Sequence, residues 1–598
     1  MPIQEEIARA SALLSGGDFR ASATVTRAIL AQDPRNSIAA HLLGLALKDS
    51  GDLDEGERWV RLSVQLEPQR GEFHANLGNL LRKRGRHQQA RESYEAALQR
   101  LPDHRAARHG LALTLLDLNR YPDAEYHCRV LLATHTQDAE AWVILGMALA
   151  HQEHHGEAEA AYRQAIALDP HNAIAQHNLG ALLVQLERPE AREHLDTARK
   201  LGADGYEASF NRGRASLNDG DLDAAETDLS RAAQLQPASL EAQLALAQLR
   251  FMRGDPRFAR TIGDALRANR DNMRLQALLA ELLWRAGELS AAETLLRDIH
   301  GRNSDPRIQS TLSAVLLEQG RLKEAEVQAL EAAIVLPYDP TVVFNAVEIL
   351  IARGLPEEAL KFITSQQQRS ADCAMVAYEA TVMRMLGKDR YRELYDFDNF
   401  VRVFDLEPPP GWSSMTEFNQ ALAAVLKERH RFTHRPLQQT LQNGTQTSRS
   451  LLTDPDPVVR EILAAFSAPI EEYRRTLQLP PEHPLARANV GVSKFTGAWS
   501  VRLKRNGFHT NHIHPDGMLS SAYYVEIPSE TEDQGLKSGW IKFGEPRLRI
   551  PGHGPERQIQ PKPGRLVLFP SYMWHGTNPI YGSEARMCIA FDVRPTRN

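Results

Sequence analysis

The sequence predicts a multidomain chain. An all-α repeat solenoid fills the first two-thirds, a helical junction follows, and an all-β domain of short strands ends the chain. Three observations carry this reading. Turn marks recur every 34 residues from Pro34 onward. Near residue 488 the hydrophobic pattern changes from helical periodicity to alternation. Within the alternating part, "GFHTNHIHPDG" (507–517) packs three histidines and an aspartate into one short stretch.

With 598 residues the chain is too long for one core and has room for about three or four domains. A formal net charge of −6 gives no electrostatic case for nucleic acid or an anionic membrane as partner. No apolar run approaches the roughly 18–20 residues of a membrane span. The N-terminal "MPIQEEIARASALLSGG" lacks a basic region followed by an apolar one, so no secretion signal is expected. Cys128, Cys373 and Cys588 are far apart and odd in number, which suggests thiols in a reducing compartment. A cytoplasmic location is the resulting expectation.

Pro34, Pro68 and Pro102 are 34 residues apart, and the same step reaches Thr136 and Pro170. The beat resumes at Pro237 and continues through Asp271, Asp305 and Asp339. Ten residues after such marks stand Gly44, Gly78, Gly146 and Gly180, with Ala112 and Ala247 in the same slot, and Gly213 stands ten after the turn "GAD" near 203. A small residue there lets two helices approach closely. Each period holds two amphipathic segments, and a helix pair this small must stack on neighbours to bury its apolar face. Period and pattern resemble the tetratricopeptide repeat over roughly residues 1–385, about ten or eleven units. The resemblance implies a superhelical solenoid whose groove binds a peptide or protein. Asn76, Asn178 and Asn211 share one slot of the first helix, either as backbone-binding amides or as solvated consensus residues.

In residues 386–487 the repeat fades and "EPPPGW" ends helical reading. Two amphipathic stretches follow, "MTEFNQALAAVLKERHRF" and "PDPVVREILAAFSAPIEEYRRTLQ", the second with Asp454 or Asp456 as a possible cap. Their apolar faces need burial, so the segment is expected to be helical support for the next domain.

Residues 488–598 carry short alternating runs separated by turn residues: "ANVGVSKFTGAWSVRL", "LSSAYYVEIP", "GWIKFGE", "RLRIPG", "RLVLFPS" and "RMCIAFDVRP". Side chains two apart on an extended segment point the same way, so either His512 with His514 or His514 with Asp516 can clamp a metal. His575 follows a hydrophobic strand as a third candidate, and Arg586 opens the last long strand. Three protein ligands leave metal positions open, the condition for catalysis, and a buried arginine opposite them can hold a carboxylate bidentately. If the ligands are His512 and His514, "PDGM" remains as a full turn before the next strand. Arg502 and Lys504 are either cavity-facing groups that help bind substrate or co-substrate, or a solvated strand face. His509 and His553 need no ligand role.

"HTNHIHPDGMLSSAYYVEIP" followed by "GRLVLFPSYMWHGTNP" and an arginine resembles the 2-oxoglutarate- and Fe(II)-dependent oxygenases, in the group where "HxHP" precedes "SSxYYV". The resemblance covers about 488–595 and implies a double-stranded β-helix (jelly roll). It implies Fe(II), 2-oxoglutarate and O₂ as cofactor and co-substrates, and hydroxylation of a protein or peptide delivered by the repeats. By this likeness His512, His514 and His575 hold the iron, with Asp516 as the alternative to His512. Arg586 then holds the distal carboxylate of 2-oxoglutarate, helped by Tyr524 unless Tyr523 faces inward instead. The chain departs from the familiar two-histidine, one-carboxylate site in offering three histidines. Two other readings stay open on the sequence: a cupin-like metalloprotein, and a repeat scaffold with an inactive oxygenase domain.

Overall fold

The computed structural model describes residues 3–367, 373–432, 434–437, 439–489, 491–515 and 517–596. The chain forms two compact units, Met1–Leu186 with Glu190–Asp204, and Glu187–Pro189 with Gly205–Asn598.

The first unit consists of helix pairs. Their first helices begin at Ile3, Ser37, Gly71, Arg105, Ala139 and Ala173, which keeps the 34-residue step. The period comes from local chemistry. Asn36, Asp138 and Asn172 each accept a hydrogen bond from the backbone N–H three residues on, capping the helix that follows. The small slot works as its spacing predicts. A Cβ on Gly44 would lie 2.5 Å from Val60 Cγ2, and one on Gly146 would lie 2.5 Å from Tyr162 Cε1. Asn76 and Asn178 are half-buried, and Asn76 Nδ2 lies 3.0 Å from His41 Nε2, so this amide is engaged within the fold.

The second unit opens with further pairs, whose first helices begin at Tyr206, Leu240, Met273, Pro306 and Pro340. Asp305 and Asp339 cap helices that start with proline, whose missing N–H costs nothing at that position. Helix Cys373–Met385 follows, and its Val376, Ala377 and Ala380 belong to the same hydrophobic core as the β domain.

Among the described residues nine strands complete this unit: β1 (Arg402–Asp405), β2 (Leu441–Gln446), β3 (Val492–His509), β4 (Leu519–Glu526), β5 (Ile541–Phe543), β6 (Arg557–Ile559), β7 (Arg565–Pro570), β8 (His575–Thr577) and β9 (Arg586–Thr596). A six-stranded sheet runs β1-β7-β4-β9-β3-β2 and a three-stranded sheet runs β6-β5-β8, with antiparallel pairing throughout. This is a jelly roll. Helices Met415–Arg429, Pro457–Ala465 and Ser467–Thr476 cover the larger sheet: Phe466 stacks on Phe591 at 4.6 Å and meets Tyr523 edge-on. Asp456 is the cap of the middle helix, and Asp454 accepts from the N–H of Asp456.

Two features differ from the sequence reading. The stretch read as helical support also contributes β1 and β2, because "RVFD" and "LQNGTQ" complete the edges of the larger sheet. "RLRIPG" is not a strand. Its Leu548 and Ile550 pack against hydrophobic clusters of the repeat helices, and Arg547 Nε donates to Glu348 at 2.8 Å. The same alternation that suits a half-buried strand suits a loop with one face on a helical surface.

The segment after helix Met415–Arg429 also runs along the repeats. Phe432 joins a cluster with Leu229, Leu246 and Leu249, and Leu437 joins one with Phe258, Leu275 and Leu282. Arg431 and His434 lie against Gly220 and Gly254, in the turns of two successive helix pairs.

Candidate metal centre

Two chain segments bring the histidines together. β3 ends at His509, and the chain then passes alongside β8, where His512 N–H donates to the His575 carbonyl at 2.9 Å and His575 N–H returns the bond at 3.1 Å. His514 N–H donates to the carbonyl of Ser571 at 2.9 Å. The turn before β8 is itself pinned. Tyr395 OH donates to the Tyr572 carbonyl at 3.1 Å, and Trp574 Nε1 donates to Thr381 Oγ1 at 3.0 Å. The last helices before the jelly roll thus hold the backbone that carries His575.

The ring orientations are equally constrained. His512 Nδ1 lies 2.8 Å from the Thr510 carbonyl, and His575 Nδ1 lies 2.9 Å from that of Met573. Carbonyl oxygens only accept, so both Nδ1 atoms carry the proton. His514 Nδ1 lies 2.7 and 2.8 Å from the two carboxylate oxygens of Asp592, again as donor. The Nε2 atoms are therefore the free ligand atoms. One ligand nitrogen from each ring lies within 4.8 Å of the others, and the His512 and His514 Nε2 atoms are 3.1 Å apart. Two bare acceptor nitrogens repel each other at that distance unless a cation lies between them. Donors at about 2.1 Å on neighbouring octahedral positions stand roughly 3 Å apart. Burial and the neighbouring His514 push the His512 imidazole down to about 3, and burial holds His575 well below its ordinary value, so both rings are neutral, as metal binding requires.

The three histidines line a cavity of about 340 Å³ whose walls include Trp499, Val501, Ile541, Thr577 and Arg586. Alternation along β9 puts Arg586, Cys588, Ala590 and Asp592 on the cavity side. Arg586 is only 1% exposed and forms no ion pair among the described residues. Among the described residues its Nη1 donates to the Gly539 carbonyl at 3.0 Å, Nη2 has only the Cys588 sulfur at 3.8 Å, and Nε has no partner. A buried guanidinium without a carboxylate is costly. Its Cζ lies 4.9 Å from the centre of the Tyr524 ring, and the Tyr524 hydroxyl is buried without a partner among the described residues. Burial pushes that phenol up to about 12, so it stays a donor. The tyrosine question is resolved by the sheet faces. Tyr523 OH donates to Asn419 Oδ1 at 2.8 Å under the covering helices, whereas Tyr524 pairs with Cys588 beside Arg586. Guanidinium and phenol thus lie together in the cavity that the histidines line.

Arg502 corrects the sequence reading. It shares a strand face with Ser500, which bonds His430, while Trp499 and Val501 face the cavity, so Arg502 is not a wall residue. His509, read as a bystander, does line the cavity and stacks on His512 at 5.8 Å. Asp516 lies outside the described residues. Asp592 went unread, although its even spacing from Arg586 along the last strand would have placed it in the cavity.

A family model described as "Putative 2OG-Fe(II) oxygenase" matches residues 497–592. Tetratricopeptide-repeat models match 7–70, 76–139, 181–239, 139–172 and 273–298. The chain therefore joins tetratricopeptide repeats to a C-terminal domain of that oxygenase family. Among curated proteins, the fruit-fly (Drosophila melanogaster) protein O-mannosyl-transferase Tmtc3 is 30% identical over 140 residues, 23% of this chain and 15% of that protein. Human (Homo sapiens) protein O-mannosyl-transferase TMTC1 is 28% identical over 212 residues, 35% of this chain and 24% of its own length. The chain thus spans less than a quarter of the length of these relatives. Among solved structures, yeast Tom70 is similar over 65% of this chain and 96% of its own, with 12% identity and a TM-score of 0.36. A Parabacteroides merdae tetratricopeptide repeat protein matches 39% of this chain and 93% of its own, with 17% identity and a TM-score of 0.34.

Proposed function

We propose that the protein is a 2-oxoglutarate- and Fe(II)-dependent dioxygenase that hydroxylates a protein or peptide side chain recruited by its repeats. The pairing of bare Nε2 atoms with an unpaired buried guanidinium in one cavity carries this reading. A metal answers the first feature and a small carboxylate the second. His512, His514 and His575 hold the iron through Nε2, their rings fixed by Thr510, Asp592 and Met573. Arg586 takes the distal carboxylate of 2-oxoglutarate, and the Tyr524 hydroxyl donates to the same group. When bound, iron with 2-oxoglutarate supplies O₂ activation, giving succinate, CO₂ and a hydroxylated substrate. The protein's part is to bind, orient and exclude water. Trp499, Val501 and Ile541 give the cavity apolar walls.

A cupin-like metalloprotein has no use for Arg586, which favours the oxygenase. The repeats raise the local concentration of a tethered substrate at a site with few specific contacts of its own. The test is succinate formation from 2-oxoglutarate by the full chain with Fe(II), ascorbate and O₂, in wild type and H575A. Iron-dependent succinate in wild type and none in H575A supports the proposal. If wild type holds no Fe(II) under anaerobic loading, or turnover survives H575A, the proposal fails. A proteome-wide peptide capture on the repeats, followed by mass spectrometry for a gain of one oxygen, tests the substrate class.

A further inference from the structure

We infer that Asp592 is a positioning residue for the metal, supplying through His514 the negative charge that a three-histidine site lacks. The inference rests on the Fe(II) reading above. A site with two histidines and one carboxylate gives a divalent ion one anionic ligand. Three neutral imidazoles give none. The three rings are not equivalent, however. His512 and His575 direct Nδ1–H to uncharged carbonyls, whereas His514 directs it to both oxygens of a carboxylate. A carboxylate in that position strengthens the ring as a donor and places negative charge one imidazole away from the ion.

The surroundings keep that charge on His514. No lysine or arginine pairs with the Asp592 side chain among the described residues. Ser520 Oγ donates to Asp592 Oδ1 at 2.7 Å and lies 2.9 Å from Ser571 Oγ, while the Ser571 carbonyl accepts from His514 N–H. One small network therefore holds both ends of His514 and the carboxylate behind it. The Trp499 ring lies parallel to His514 at 6.0 Å and fills the remaining side. The adjacent strands fix the residue's place, since Asp592 is opposite Gly497 on β3 and Ser520 on β4.

Asp592→Asn tests this, because it keeps size and an acceptor for Nδ1–H but removes the charge. Mn(II) is titrated into the metal-free full chain and followed by electron paramagnetic resonance of the free ion. Visible spectra of the Co(II) form and thermal melting of the metal-free form are recorded alongside. The expected result is Mn(II) affinity lowered by about 10- to 100-fold, displaced Co(II) bands and an unchanged metal-free melting temperature. Ser520→Ala, which keeps the carboxylate, is expected to lower affinity less than threefold. Affinity within threefold of wild type in Asp592→Asn overturns the inference, as does a lower melting temperature with unaltered Co(II) bands. Binding abolished as fully as in His512→Ala would make Asp592 a direct ligand and also overturn it. Wild-type protein that binds no Mn(II) defeats the iron reading itself, an outcome distinct from a difference confined to Asp592.

Discussion

Replacing Arg586 with methionine is expected to have opposite effects on stability and on binding. In the metal-free protein the guanidinium is 1% exposed and has one strong hydrogen bond, to Gly539. The effective cost of burying an unpaired ion is several kcal/mol. Against it stand the bond to Gly539, about 1.5 kcal/mol or more, and the Tyr524 ring, about 2 kcal/mol when desolvated. Methionine of similar length removes all three effects, so the metal-free protein gains about 1–2 kcal/mol, roughly 1–4 °C in melting temperature for a unit of this size. Binding moves the other way. Losing one partner of a buried charge pair costs about 2–5 kcal/mol, so 2-oxoglutarate affinity falls roughly 30-fold to a few thousand-fold. The assays are scanning calorimetry of metal-free protein and anaerobic calorimetric titration of 2-oxoglutarate into the Mn(II) form. If 2-oxoglutarate affinity stays within threefold of wild type, Arg586 is not the anion handle and the argument from its missing partner is wrong.

Three further outcomes are expected. Arg547→Met leaves Glu348, 3% exposed, without its cation and should destabilise the second unit by about 2–3 kcal/mol, read as faster proteolysis in 544–556. Gly146→Ala gains up to about 1 kcal/mol of helix propensity but puts a methyl group 2.5 Å from Tyr162 Cε1. Overpacking of about 1–3 kcal/mol outweighs that gain, and a higher urea midpoint would refute it. His41, His127 and His430 are lowered to about 4 and His512 to about 3, burial being the first cause in each. Below about pH 6.5 the unfolded chain takes up protons that the fold refuses. Stability should thus be level above that pH and fall as pH drops toward 4, by up to about 1.4 kcal/mol per pH unit for each histidine; melting temperatures that rise on acidification would contradict this.

The repeats were legible because each mark has a local cause. Asp305 and Asp339 cap helices, and Gly44 or Gly146 makes room for the residue opposite. The three histidines and Arg586 were legible because strand alternation and turn chemistry fix which way they point. Legibility failed where pairing is non-local. β1 and β2 are short edge pieces whose only strong reason to be strands is a partner far along the chain: Phe404 pairs with Leu566, and Thr445 with Arg502. "RLRIPG" alternates like a strand but finds a helical surface. Arg502 stayed open because one strand's alternation does not say which face meets the cavity; Tyr523 and Tyr524 separated only when Asn419 claimed the first. Asp592 meets the histidine cluster only by its contact with His514, and a contact of that kind leaves no motif.

The placement of Phe432 and of residues 434–437 bears on how this chain can be cut or recombined. Phe432 and Leu437 are seated among repeat helices between Leu229 and Leu282, and a few residues later the same strand of chain becomes Thr440 and Gln446 in the cavity wall. A graft that takes the jelly roll from residue 386 leaves those two side chains in water, and one from residue 488 omits them together with β1 and β2, so either unclamps one side of the cavity. The smallest transplantable form of the β domain therefore includes the repeats that begin at Tyr206. In this protein those repeats are scaffolding for the histidine-lined cavity, and a library that varies them for new targets would also be varying that cavity.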